Sequence, residues 1–189
     1  MKCQNLSNQP HQLSNVFGAE KDDLQVNKLI RMTPGFVWVQ SSHGEKVVGA
    51  VEGGSEPGGM YVGRALHEND LVPGKVHCTH GVLYLPWNCR EHGKKQYEVL
   101  TAEVNSRYDW IPSSNGQVPS GAIQGGYNSR SEVLYIGRTL HEGVLIPGKV
   151  NPSHRCLYVA YGGKEHAYKV GYEILVAKEN EKDELRDSR

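Results

Sequence analysis

Two stretches of this chain are one stretch written twice. Trp38-Val-Gln-Ser-Ser-His-Gly44 lines up with Trp110-Ile-Pro-Ser-Ser-Asn-Gly116. Gly49-Ala-Val-Glu-Gly-Gly54 lines up with Gly121-Ala-Ile-Gln-Gly-Gly126, again at an offset of 72 residues. The second copy then carries two extra residues. From Tyr61 the offset is 74, and Tyr61-Val-Gly-Arg-Ala-Leu-His-Glu68 matches Tyr135-Ile-Gly-Arg-Thr-Leu-His-Glu142. Pro73-Gly-Lys-Val76 matches Pro147-Gly-Lys-Val150. Between residues 61 and 92, sixteen of thirty-two positions are identical to their counterparts, which requires two structurally equivalent units. The chain therefore divides into a polar extension (1–35), a first repeat (36–104), a second repeat (105–178) and a charged tail (179–189). The tail composition predicts disorder or a frayed helix.

Inside each repeat the apolar period is two. Phe36-Val-Trp-Val-Gln40, Met60-Tyr-Val-Gly-Arg64, Val82-Leu-Tyr-Leu-Pro86 and Gln96-Tyr-Glu-Val-Leu100 read as short strands, as do their counterparts in the second repeat. Gly-Gly, Asn-Gly and Pro-Gly pairs read as the turns between them. Only residues 20–31 carry a weak helical pattern. The reading is an all-β chain. Two small sheets alone would have poor cores, so the copies are expected to pack together about a pseudo-two-fold axis.

Charge and cysteine usage narrow the function. Lys plus Arg and Asp plus Glu are both 21, so the chain lacks the basic excess of a nucleic-acid binder. No apolar run approaches the roughly 18 residues of a membrane span, and the N-terminus has no apolar core of signal-peptide length. Four cysteines (Cys3, Cys78, Cys89, Cys156) do not form a dense disulfide framework. The expectation is a cytoplasmic chain with unpaired thiols that meets external glycans by release on damage, by unconventional export or by binding invading organisms.

The repeat motifs also carry a resemblance. Trp-Val/Ile, Gly-Ala-Val/Ile-x-Gly-Gly, Tyr-Val/Ile-Gly-Arg, Pro-Gly-Lys-Val, Tyr-Gly-Gly-Lys-Glu-His and Tyr-Glu-Val/Ile-Leu together resemble the DM-nine repeat family. That family includes natterin-like proteins and mannose-binding lectins of bivalves. Residues 110–176 carry the signature nearly whole. The first copy departs from it in a shortened loop, Ser55-Glu-Pro-Gly-Gly59, and in Pro86-Trp-Asn-Cys-Arg-Glu-His92. The resemblance implies two intertwined pseudo-symmetric β repeats forming one compact domain, with sugar sites repeated by the pseudo-symmetry. In the lectins an Asp in the loop after the Gly-Gly pair and the Lys of Pro-Gly-Lys dominate the sugar contacts. Association with innate immunity is a further implication.

Carried over residue by residue, this points to Lys149 and Lys75, each after a Pro-Gly turn, as donors to vicinal hydroxyls. Asn128 stands where the lectins carry Asp. An amide accepts more weakly than a carboxylate, so Asn128→Asp is expected to strengthen binding. In the first copy only Ser55 and Glu56 lie near the corresponding place, which predicts a weaker site there. Arg64 and Arg138 are read as ion-pair partners of Glu91 and Glu165, bracing the sites. Tyr84, Tyr158 and Tyr161 are candidates to stack on a sugar face. Trp38 and Trp110 are read as core residues.

No catalytic motif is present: there is no nucleophile elbow, phosphate loop or calcium loop. Glu91 and Glu165 occupy the same position of different copies, so they predict two equivalent sites rather than one acid–base pair. Cys78, His80, Cys89 and His92 have zinc-ligand types and spacing, but the second copy has Pro152, His154, Gly163 and His166 there, and no metal or cofactor is expected. The expected function is non-enzymatic binding of mannose-type glycans, in a monomer or homodimer. The rival is a structural or protein-interaction module without sugar affinity.

Overall fold

The structure, a computed structural model, describes residues 33–178. The candidate helix at 20–31 and the charged tail lie outside the described residues.

The first repeat forms β1 (Phe36–Ser42), β2 (Met60–His67), β3 (Asp70–His77), β4 (Val82–Trp87), β5 (Arg90–Lys94) and β6 (Gln96–Ala102). The second forms β7 (Arg107–Ser113), β8 (Gln124–Tyr127), β9 (Val133–His141), β10 (Val144–Asn151), β11 (Cys156–Tyr161), β12 (Lys164–Tyr168) and β13 (Tyr172–Lys178). The chain is all-β, and every strand pair is antiparallel. The strands run in the order β1-β6-β2-β3-β4-β5-β12-β11-β10-β9-β13-β7, with β8 branching to β3 and β9. Exchanging each strand for its repeat counterpart turns this order into its own reverse. The centre of that inversion is the β5–β12 pair, joined at Arg90 and Lys164.

Strands beginning near Phe36, Met60, Val82 and Gln96, and their counterparts, form where the period-two pattern places them. The Pro-Gly pairs behave differently: Pro73-Gly74 and Pro147-Gly148 lie inside β3 and β10, not in turns. The real reversals fall a few residues earlier, at Leu-His-Glu. Glu142 and Gly143 both have positive φ there, the geometry of a tight hairpin that follows the sheet twist. Proline is tolerated in β3 because it falls in a gap. That strand pairs with β8 at Leu71 and with β4 only from Lys75 onwards.

Tertiary crowding accounts for the glycine that follows. A Cβ on Gly74 would stand 2.3 Å from the carbonyl oxygen of Tyr84, and one on Gly148 would stand 2.0 Å from that of Tyr158. The Gly-Gly pairs serve the junction between the copies. A Cβ on Gly53 would meet Pro147 at 2.7 Å, and one on Gly125 would meet Pro73 at 2.5 Å. Each repeat's Gly-Gly thus packs against the other repeat's Pro-Gly.

The cores interlock in the same way. Val51, Val62 and Leu100 pack with their counterparts Ile123, Ile136 and Leu175 in one cluster. Met60, fully buried, inserts into a cluster otherwise made by the second repeat, among Ile146, Leu157 and Ile174. Burying side chains of this size contributes roughly 1.5–3 kcal/mol each. A third cluster, around Val76, Leu83, Leu85 and Tyr97, lies within the first repeat, so the copies share a central core and each adds one largely its own.

Candidate ligand-binding site

The two Pro-Gly-Lys lysines are buried charges. Lys75 is 5% exposed and Lys149 8%, so each must be paired within the protein. Lys149 Nζ lies 3.0 Å from Glu165 Oε1, and Lys75 Nζ lies 3.3 Å from Glu91 Oε1. The second oxygen of each glutamate crosses to the other repeat. Cys89 N–H donates to Glu165 Oε2 at 2.7 Å, and Gly163 N–H donates to Glu91 Oε2 at 2.7 Å. The β4–β5 and β11–β12 turns therefore clasp one another through the carboxylates that hold the lysines. Tyrosine rings flank both ammonium groups: Tyr158 at 5.2 Å from Lys149, and Tyr84 and Tyr161 at 5.5 and 5.1 Å from Lys75.

This corrects the expected ion pairing. Arg64 and Arg138 do not reach Glu91 and Glu165. Arg64 Nε donates to Glu98 at 2.5 Å and Arg138 Nε to Glu173 at 2.7 Å. The register explains it, because Arg64 sits opposite Glu98 between β2 and β6, and Arg138 opposite Glu173 between β9 and β13. Each guanidinium also stacks on a half-buried tryptophan, Arg64 on Trp38 at 4.1 Å and Arg138 on Trp110 at 4.2 Å. These are sheet braces away from the lysines.

Around Lys149 the surface opens into a cleft of about 520 Å³. From the second repeat Lys149, Glu165, Tyr158, Asn128 and Glu132 line it, and from the first repeat Asp70, Trp87 and Cys89. That volume is in the ordinary range for small-molecule sites. Asn128 organises the loop rather than offering its oxygen outwards. Its Oδ1 accepts from the N–H groups of Arg130 and Glu132, both at 3.0 Å, and its Nδ2 donates to Glu132 Oε2 at 2.9 Å. Glu132 also accepts from Ser153, through N–H and Oγ–H, each at 2.8 Å. Burial pushes the Glu132 carboxyl up, but the bonds from Ser153 and Asn128 outweigh it and hold the group below its usual range. The cleft thus brings the Lys149 side chain together with the carboxyl groups of Glu165, Glu132 and Asp70. Burial, with the Cys156 thiol beside it, pushes the Tyr158 phenol well up, so it stays a neutral hydroxyl.

The first-repeat counterpart is built from different residues. Glu56, from the shortened loop, is paired with His77 Nε2 at 2.6 Å. His77 stacks on His80 with ring centroids 3.7 Å apart, and Thr79 Oγ1 bonds its Nδ1 at 3.0 Å. The residue matching His77 is Asn151, which is neutral and leaves Glu132 to Ser153 and Asn128. The histidines of the two Glu-His pairs donate to backbone carbonyls: His92 to Trp87 and His166 to Tyr161, both at 3.0 Å. Among the described residues no three His, Cys, Asp or Glu side chains gather as a metal set, so Cys78, His80, Cys89 and His92 do not converge. Cys78, Cys89 and Cys156 are free thiols.

Glu132, Asp70 and Trp87 are among the cleft residues that escaped the sequence reading. Comparison of the copies hid them, because alignment sets Glu132 against a glycine, Asp70 against Val144 and Trp87 against Tyr161. The usable signal was Asn128 followed four residues later by Glu132 in a loop that the first copy lacks at full length.

Residues 57–168, more than half of the chain, match the family model described as the DM9 repeat. This chain belongs to the DM9 repeat family. A stretch of 42 residues is 50% identical to Natterin-3 of Thalassophryne nattereri, covering 22% of this DM9 chain and 10% of that relative. The DM9 chain therefore corresponds to a small part of the natterin's length. Its fold is similar to that of the nematode sperm cell motility protein MFP2B, with a TM-score of 0.62 and 16% identity over 80% of this chain and 48% of that one. At that identity the likeness concerns the fold alone.

Proposed function

We propose that this DM9 protein is a non-enzymatic, lectin-type carbohydrate-binding protein, and that the second-repeat cleft is its principal site for mannose-type glycans. One observation carries the reading. Lys149 supplies a buried ammonium paired with Glu165, in a cleft of about 520 Å³ that Glu132 also lines. Vicinal sugar hydroxyls both donate and accept, so a fixed cation and fixed carboxylates lining one cleft satisfy them in pairs. The first-repeat position, where His77 already holds Glu56, is the weaker site. The two intertwined repeats act as one domain with inequivalent faces, in a cytosolic chain that meets glycans on release.

A glycan array with free mannose as competitor tests this directly. Retention of high-mannose glycans, displaced by mannose and lost in Lys149→Ala, is the expected result. Equal retention by Lys149→Ala would overturn it. A second reading rests on the same carboxylates: they clasp the β4–β5 and β11–β12 turns across the repeats. A glycan-blind interaction module would use the lysines only for that clasp, and would show no array signal.

A further inference from the structure

The second-repeat cleft is finished by the first repeat. Asp70, the first residue of β3, reaches across the junction. Its Oδ1 accepts the N–H of Ser129 at 2.7 Å, fixing the loop that carries Asn128 and Glu132. Its Oδ2 accepts the indole N–H of Trp87 at 3.0 Å. Trp87 is further held edge-on by His67 and His92, with ring centroids 5.0 and 6.0 Å away. The indole is thus fixed by three neighbours while it borders the same cleft as Lys149, Glu132 and Glu165. The pseudo-symmetric position lacks this arrangement: Val144 replaces Asp70, and Tyr161 replaces Trp87.

We propose that Trp87, oriented by Asp70, is the ring-stacking surface of the second-repeat site and selects ligands that present an apolar pyranose face. This rests on the glycan-binding reading above. A pyranose is amphiphilic: hydroxyls project from its edge, while one face exposes a patch of C–H groups. A cleft with paired charges on one wall and an immobilised indole on another complements both surfaces at once. Asp70 is a positioning residue here. It sets the indole plane and the Glu132 loop together, so the platform and the hydroxyl acceptor keep a fixed separation. The site is therefore a property of the repeat pair.

Titration with methyl α-D-mannopyranoside, followed by calorimetry and by tryptophan emission, tests the proposal. Trp87→Ala is expected to weaken binding about tenfold or more, and Asp70→Asn severalfold. Trp87→Tyr, which installs the residue of the other copy, should lose less. The mannoside-dependent emission change should disappear in Trp87→Phe and persist in the Trp38→Phe/Trp110→Phe double variant. A Trp87→Ala protein that melts normally and binds as the unmodified chain does overturns the proposal. So does an emission change that survives in Trp87→Phe. If Lys149→Ala loses binding while the Trp87 variants do not, this inference fails and the glycan reading stands. If the unmodified protein does not bind the mannoside, both fail.

Discussion

Replacing Asn128 by Asp separates the structure from the bare sequence. Read alone, the sequence favours Asn128→Asp as an improvement, since a carboxylate accepts better than an amide. The structure reverses the sign. Asn128 Nδ2 donates to Glu132 Oε2 at 2.9 Å, so an aspartate oxygen in its place would face another carboxylate at that separation. Losing a hydrogen bond to a charged acceptor costs about 1.5–3 kcal/mol. Two like charges at about 3 Å repel by about 1 kcal/mol even when water screens them fully. Against this, the Arg130 and Glu132 N–H groups would bond a charged acceptor, which returns about 1 kcal/mol. The net is a loop destabilised by about 1.5–3 kcal/mol, and a site weakened about ten- to 150-fold if the loop must be ordered to bind. Denaturant melts and mannoside calorimetry at pH 7 measure both quantities. The repulsion needs both groups ionised, so the stability deficit should shrink as pH falls towards about 4. An Asn128→Asp protein that binds more tightly at unchanged stability would refute this account of the loop.

Four further outcomes follow from the same geometry. Lys149→Ala should remove most mannoside binding and Lys75→Ala much less, because His77 already occupies Glu56; equal losses by calorimetry would show equivalent sites. Glu132 has a depressed folded-state pKa, so its stabilisation is present above the unfolded value near 4.3 and is lost as pH falls through the folded value. Glu132→Gln should therefore be less stable than the unmodified chain at pH 7, with the difference closing below about pH 4 in thermal melts. Burial lowers the His67 and His141 pKa values, aided by positive neighbours that include His92 and His166 respectively. Their contribution is full above about pH 6.5 and falls as pH drops through the lowered values, so a His67→Phe/His141→Phe chain should lose less Tm between pH 7 and 5. Met60→Ala should cost about 2–5 kcal/mol and melt both repeats in one transition; two separated transitions would mean that the cores are independent.

The sequence by itself determined the repeat, the all-β class and most strand positions. Those follow from local period-two patterning and from an internal comparison that needs no coordinates. Lys75 and Lys149 were singled out by the resemblance to the DM-nine lectins, and Glu91 and Glu165 by holding the same place in the two copies. What the sequence misjudged depends on neighbours far along the chain. Pro73-Gly74 reads as a turn locally, yet lies mid-strand because Tyr84 passes within 2.3 Å of where a Cβ would stand. Arg64 has several glutamates within plausible reach in sequence, and only the β2–β6 register chooses Glu98. Comparison of the copies favours what they share, so it passed over Asp70 and Trp87, which have no like counterparts. Only the crossing of the repeats brings those side chains to the second-repeat cleft. The physical reason is that pattern and propensity act within a few residues, whereas a binding site is fixed by contacts between segments that the fold alone makes neighbours.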